Sequence, residues 1–419
     1  MRSNKHLALN YLKEKEHSGL SYARIADLTG YSVSYLKKLK IKLENEDIES
    51  LSKHGGKNNK NRLANEKEIN FIIKFKEQYP NISISQFQDI YNEQIIFNKK
   101  MKEIVIKYNL KMRSYSFFQS LFKKMKWKSP FKHRVKGKKL KHTLREPMPK
   151  RGMLVMIDGT PHDWFNNGKS FSLHLAIDDA TGEYLCGYFM PTERLEGYCN
   201  LLILLLTKYG IPENLYSDKH TIFKSSVDEN LTTFGSICEE LGINMIFANS
   251  PEAKGKIERA NRTLQGRLLV DIQRYNIKTY DELNTFFNNF YCDYLNHKFS
   301  YKPKDEDLAY VEISKDMDII SYMCIKSKRM FLDGNVFSYK NCYYKIYDSN
   351  GEIVHLFRGT TIEVRENIFS NKITVKYKKE IYDTVLIEKR NKKDKVNNVI
   401  NDQKDQVNYF KNTNKNISS

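Results

Sequence analysis

Three acidic residues are candidates for shared chemistry: Asp158 in MIDGTPHDWF, Asp218 in LYSDKHTIF and Glu258 in KGKIERANRT. Carboxylates are hard oxygen ligands, the donors that Mg²⁺ takes alongside waters and phosphate oxygens. Carboxylates that converge open the way to metal-assisted phosphoryl transfer. Separations of 60 and 40 residues carry little weight by themselves, because about one residue in eight is acidic. Rival acids lie nearby. Asp163 falls on the loop after Asp158, and Asp178 and Asp179 sit in a DATG turn, where Asp is an ordinary turn residue. Glu239 and Glu240 read as an exposed helix face. His162 and His220 flank the two aspartates, and Lys219 and Lys254 are candidates for phosphate contact.

Short strands and helices must position these groups. Gly152–Ile157 is an apolar run that reads as a buried strand ending at Asp158. Ser170–Ile177 and Tyr184–Met190, joined by the DDATG turn, complete a three-stranded meander. Arg194–Tyr209 reads as a helix with Leu201, Leu202, Leu205 and Leu206 toward a core. A brief strand at Asn214–Tyr216 stops just before Asp218. Leu231–Leu241 reads as a helix and Asn244–Ala248 as a strand. Lys254–Arg274 is a long basic helix with Glu258 in its first turns, and Arg259, Arg262 and Arg267 would extend a basic face along it.

That βββαβαβα order, with its acids at these places, resembles the ribonuclease-H-like core of DDE transposases and retroviral integrases. SPEAKGKIERANRTLQGRL closely resembles the third-carboxylate helix of insertion-sequence transposases. There Lys254 and Gly255 precede the Glu, and Arg259, Asn261, Thr263, Leu264 and Gln265 follow it. MIDGTPHDWF, LHLAIDDATGEYLCGYF and LYSDKHTIF match the same group, and together they resemble ISNCY-type transposases over roughly residues 150–275. The resemblance implies a catalytic and metal-binding triad of Asp158, Asp218 and Glu258. It further implies two Mg²⁺ (or Mn²⁺) ions per site, end cleavage that frees a 3′-OH, and attack of that 3′-OH on target DNA. Because two DNA ends must be handled, it implies a homodimer or larger assembly on DNA.

Charge supports a polyanion partner. Residues 1–150 carry 34 Lys+Arg and 14 Asp+Glu, whereas residues 151–419 carry 36 of each, so the whole net charge of +20 lies in the first third. Residues 111–150 hold 14 basic residues and one acid, Glu146. A concentrated basic segment is the footprint of nucleic-acid binding, since Lys and Arg at phosphates release counterions. Within this third, SYARIADLTGYSVSYLKKLK (residues 21–40) has helix-turn-helix grammar. Ser21 caps a first helix to about Leu28, Gly30 turns the chain, and Ser32 caps Val33–Leu43. The second helix would present Ser32, Ser34, Lys37 and Lys38 to the major groove. A second helical set follows at about Glu66–Gln78, Ser85–Glu93, Lys99–Tyr108 and Tyr115–Trp127. In the last of these, Phe117, Phe118, Leu121 and Met125 read as core.

The chain so read is multidomain α/β. A helix-turn-helix DNA-binding domain fills 1–50 and a second helical DNA-binding domain 64–127, with a basic linker at 128–150. A ribonuclease-H-like mixed sheet with flanking helices fills 151–300. Alternating polar and apolar residues with Gly and Asn turns predict a small β-barrel over 327–390, and a Lys- and Asn-rich tail at 391–419 reads as disordered. The longest aliphatic run, Leu201–Leu206, is far short of the roughly 20 residues that span a membrane. Six scattered cysteines form no CxxC pair, which argues against zinc ribbons and disulfide frameworks. A cytoplasmic, nucleoid-associated bacterial protein is expected. Two rival readings share parts of this pattern: a DNA-binding regulator without catalysis, and a metal nuclease without strand transfer.

Overall fold

Serine caps and one left-handed glycine set the first helices. A computed structural model describes residues 4–15, 19–44, 48, 51, 64–128, 146–218, 221–223, 231–247 and 255–389. The basic run at 129–145 and the tail beyond 389 therefore lie outside the described residues. The chain divides into two compact units, Met1–Pro80 with Phe87–Leu121, and Asn81–Gln86 with Phe122–Ser419.

The first unit opens with α1 (Asn4–Lys13), α2 (Tyr22–Thr29) and α3 (Val33–Leu43). Ser21 accepts from Arg24 N and Ser32 from Tyr35 N, while Gly30 turns the chain at φ +74°, a conformation costly for residues with a Cβ. Ala8, Leu9, Leu12, Ile25, Leu36 and Leu39 bury together among the three helices. The chain continues through α4 (Glu66–Gln78), α5 (Ile84–Asp89, extended by a π-helical Ile90–Ile96), α6 (Lys102–Tyr108) and α7 (Tyr115–Lys124). Phe118 and Leu121 are buried as expected, but Met125 is exposed. Glu68 is fully buried and accepts from Arg113 Nε at 2.8 Å and Tyr91 OH at 2.6 Å. A buried carboxylate so paired avoids the cost of an unsatisfied charge.

The second unit holds a five-stranded mixed sheet in the order β3-β2-β1-β4-β5. Its strands are β1 (Val155–His162), β2 (Phe171–Asp178), β3 (Tyr184–Met190), β4 (Asn214–Ser217) and β5 (Asn244–Phe247). The first three are antiparallel, and β4 and β5 add in parallel. Helices α8 (Leu195–Tyr209), α9 (Thr233–Glu240) and α10 (Gly255–Arg274) follow in the expected order. One face of the sheet, with Val155, Ile157 and Leu215, packs on Leu201, Leu202 and Leu205 of α8 and Phe234 and Ile237 of α9. The other, with Met156, Leu175 and Ile177, packs on Ile257, Leu264 and Leu268 of α10. Next come α11 (Tyr280–Phe286, opened by a Thr279–Glu282 capping box), α12 (Cys292–Phe299) and α13 (Ile319–Tyr322).

Beyond them, β6 (Cys324–Leu332), β7 (Val336–Tyr339), β8 (Cys342–Tyr347), β9 (Thr361–Asn367), β10 (Ile373–Tyr377) and β11 (Glu380–Lys389) close the expected small barrel. Phe331, Phe337, Ile346, Val364 and Val375 fill it.

Two expectations fail on the helices. Glu240 is not on an exposed face: it meets Arg365 Nη1 at 2.6 Å, Lys326 Nζ at 2.8 Å and Lys376 Nζ at 2.9 Å, all from the barrel. Three cations from β6, β9 and β10 thus converge on one carboxylate of α9 and dock the barrel onto it. Arg267 does not extend a basic face: it is buried, with its guanidinium 5.1 Å from the Phe299 ring centroid.

Candidate active site

Strand alternation sends Met156 and Asp158 to the α10 side of β1, and Ile157 and Gly159 to the α8 side. Asp158 Oδ2 accepts a 2.9 Å hydrogen bond from Asn261 Nδ2 of α10. Parallel pairing sets Val155 opposite Leu215 and Met156 opposite Tyr216. Asp218 follows directly on β4, two residues past the last paired residue, Tyr216. Both charges reach the Tyr198 phenol. Burial first, then its bond to Glu193, then the charges of Glu193, Asp158 and Asp218 push the pKa of that phenol far above its ordinary value. The two aspartates therefore share one end of the β1–β4 pair.

The strand does not end at Asp158, as its apolar run implied. It continues to His162, paired with β2 over its whole length. Its pairing with β4 covers only Val155 and Met156, so Asp158 lies where one neighbouring strand has run out rather than where its own stops.

Glu258 is exposed in the first turn of α10, three residues before Asn261. Residues three apart lie on nearly the same helix face, so Glu258 stands one turn from the residue that touches Asp158. Among the described residues no three His, Cys, Asp or Glu side chains close into a metal-holding group. Lys219, His220 and Lys254 lie outside the described residues.

The rival acids have structural work. Asp179 is fully buried; its Oδ1 lies 2.8 Å from Lys256 Nζ, which also donates to Asp179 O at 2.6 Å, and its Oδ2 accepts from Met148 N at 2.8 Å. The turn thus grips α10 two residues before Glu258. Asp178 accepts from Thr181 N and Oγ1 at 3.0 Å and from Gly152 N at 2.9 Å. Burial raises its pKa against those hydrogen bonds. Asp163 accepts from Asn167 N and Gly168 N and shapes its own loop. His162 packs edge-on to Trp164, and burial lowers its pKa against the opposing charge of Asp163, which favours the neutral ring.

The donors at this strand end suit a hard divalent cation. Asp158 and Asp218 supply carboxylate oxygens, and among the described residues Asn261 Oδ1 is a buried oxygen with no hydrogen-bond partner. An orphaned buried acceptor on the residue that holds Asp158 is the kind of group a cation satisfies. In the sequence Asn261 belongs to the helix motif without a role of its own. Glu193, which meets the Tyr198 hydroxyl at 2.6 Å, had no local signal, being one acid before a helix.

Of the DNA-facing candidates, Ser32, Ser34, Lys37 and Lys38 are all exposed on or at the start of α3, although the Ser32 oxygen also caps that helix. Lys37 Nζ lies 6.0 Å from the Tyr22 ring centroid. Arg259 and Arg262 are exposed on α10. No helix among the described residues is long and apolar enough to cross a membrane.

No family model matches the chain. Against known proteins, it is 34% identical over 241 residues to the transposase for insertion sequence IS1202 of Streptococcus pneumoniae, covering 56% of this chain and 50% of that protein. It is 38% identical over 180 residues to y4bF of Sinorhizobium fredii, which also carries a transposase name, covering 41% and 39%. The chain thus spans half or less of the length of these curated relatives. Among solved structures, a simian T-cell lymphotropic virus intasome in complex with PP2A regulatory subunit B56 gamma aligns at 11% identity and TM-score 0.30, over 67% of this chain and 94% of that one. The HTLV-2 integrase catalytic core in complex with magnesium (dimeric form) aligns at 14% and 0.26, over 34% and 89%. Structural similarity that low carries no argument. The sequence matches bear out the resemblance read from the motifs: this chain is similar to insertion-sequence transposases.

Proposed function

We propose that the chain is a DDE transposase that binds the terminal inverted repeats of an insertion sequence, cleaves its ends and joins the freed 3′-OH groups to target DNA. The observation that carries this reading is that Asn261 of α10, one turn from Glu258, holds Asp158 on β1, with Asp218 directly after the adjacent strand β4. Similarity to named transposases supports the reaction class.

Asp158, Asp218 and Glu258 are the residues that would hold two Mg²⁺ or Mn²⁺ ions. When bound, such ions activate the attacking oxygen and stabilise the leaving 3′-oxygen of an in-line displacement. The chain's own groups orient and bind. Asn261 fixes the Asp158 carboxylate, and Lys256, gripped by Asp179, fixes the first turn of α10. Arg259 and Arg262, with Lys219 and Lys254, would lie along phosphates near the cut. Ser32, Ser34, Lys37 and Lys38 would read the terminal repeat from α3. The five-strand order supports a ribonuclease-H-like core, and two ends in one synapse call for at least two subunits.

The alternatives are a DNA-binding relative without catalysis and a metal nuclease without strand transfer. Incubating the protein with Mg²⁺, a labelled duplex from the native element end and a target plasmid separates the readings. Joined product supports the transposase. Nicking without joining supports a nuclease, and end binding without chemistry supports the inactive relative.

A further inference from the structure

Behind Asp158, on the α8 side of the sheet, lies a set of groups that the proposed chemistry does not use. Glu193, between β3 and α8, is half-buried and accepts a 2.6 Å hydrogen bond from Tyr198 OH. Both groups press on β1 at Gly159: a Cβ there would fall 2.5 Å from Glu193 Oε1 and 2.6 Å from the Tyr198 hydroxyl. Glycine at 159 is therefore what lets a carboxylate and a phenol rest against the backbone next to Asp158.

His174 is the cross-strand neighbour of Gly159 and is fully buried. Its Nδ1 lies 3.2 Å from Tyr188 O, which can only accept, so Nδ1 carries the proton and Nε2 the lone pair. Among the described residues that Nε2 is buried without a hydrogen-bond partner. It faces Gly197 at the start of α8, where a Cβ would fall 2.5 Å from it, and its ring meets Tyr198 edge-on at 4.6 Å. Two glycines, one on the strand and one on the helix, thus open room for three polar side chains. A core built only for packing would fill that room with apolar groups, since an unpartnered buried acceptor is destabilising.

We propose that Glu193, held by Tyr198 against Gly159, is a positioning residue for divalent cations at the Asp158–Asp218 pair. It is not a ligand. It fixes the β1 backbone at Asp158 and adds a held negative charge behind the pair, which strengthens cation binding where water is scarce. Asn261 fixes the same aspartate from the opposite side of the sheet. The proposal rests on the reading of Asp158 and Asp218 as cation ligands.

The test is Mn²⁺ binding to the full chain without DNA, followed by calorimetry or the paramagnetic resonance of free Mn²⁺. Glu193→Gln keeps an oxygen for the Tyr198 hydroxyl and removes only the charge. It is expected to weaken Mn²⁺ affinity about tenfold, the scale of outer-shell changes at metal sites. Tyr198→Phe, which releases Glu193, is expected to shift affinity in the same direction. Circular dichroism and metal-free binding to the element end report that each variant is folded. Unchanged affinity in Glu193→Gln, with binding abolished in Asp158→Asn, overturns the proposal alone. Unchanged affinity in Asp158→Asn overturns the reading on which it rests. Should Glu193→Gln fail to fold, Tyr198→Phe decides, and unchanged affinity there overturns the proposal.

Discussion

Asn261 Nδ2 donates a 2.9 Å hydrogen bond to Asp158 Oδ2, and so ties the helix that carries Glu258 to the strand that carries Asp158. The amide is buried, and among the described residues its Oδ1 meets no hydrogen-bond donor. Asn261→Ala removes the tie without leaving a new buried charge, so stability should change by only about 1 kcal/mol. End cleavage should fall about tenfold or more, as for other groups that orient metal ligands. Single-turnover cleavage beside a thermal melt checks this. A full cleavage rate in Asn261→Ala would remove Asn261 from the site.

Asp179 is assigned to structure and not to the metal. Asp179→Asn weakens the grip on Lys256 and should destabilise the protein by about 3 kcal/mol, the scale for breaking a buried ion pair. Its Mn²⁺ affinity should match that of wild type below the melting temperature. A drop in Mn²⁺ binding comparable to that of Asp158→Asn would make Asp179 a ligand.

The barrel dock predicts an acid transition. Glu240 is opposed by burial, but hydrogen bonds from Arg365, Lys326 and Lys376 prevail and hold its pKa down to about 2, from 4.5. A carboxylate whose folded pKa is depressed contributes its stability above the unfolded value and loses it as pH falls toward the folded one. The contribution should therefore disappear between about pH 4.5 and 2. Denaturant melts across that range should show Glu240→Gln converging on wild type as pH falls. Parallel curves would mean that the three cations do not hold Glu240.

DNA binding by α3 predicts a salt effect. Removing one lysine from a phosphate should reduce the slope of log affinity against log salt by about 1. Lys37→Ala and Lys38→Ala, which delete exposed ammonium groups, should each weaken end binding with that signature. Ser34→Ala should leave the slope unchanged, since a hydroxyl releases no counterion. Wild-type slopes in both lysine variants would remove α3 from the DNA interface.

How much of this was legible in the sequence follows from where each signal resides. Local signals worked: serine caps and Gly30 marked α2 and α3, the DDATG turn marked off β3 at Tyr184–Met190, and polar–apolar alternation marked the barrel. The second half of β1 was missed because DGTPH holds a Gly and a Pro, both unfavourable in strands. Continuous pairing with β2 holds it, and Pro161 lies past the pairing with β4, where a missing amide donor is tolerated. Arg267 and Glu240 read as surface residues because their surroundings, Phe299 and the barrel cations, are remote in the chain. Glu193 was illegible for the same reason, since its meaning lies in Gly159 and Tyr198.

The proposed chemistry turns on Asp158, Asp218 and Glu258 acting together in strand transfer. The deciding measurement is joining of a labelled element end to a target plasmid with Mg²⁺ or Mn²⁺, using wild type, Asp158→Asn, Asp218→Asn and Glu258→Gln. Joined product is expected from wild type alone, with end binding retained in all three variants. Joined product at the wild-type level from any one of the three would break the triad.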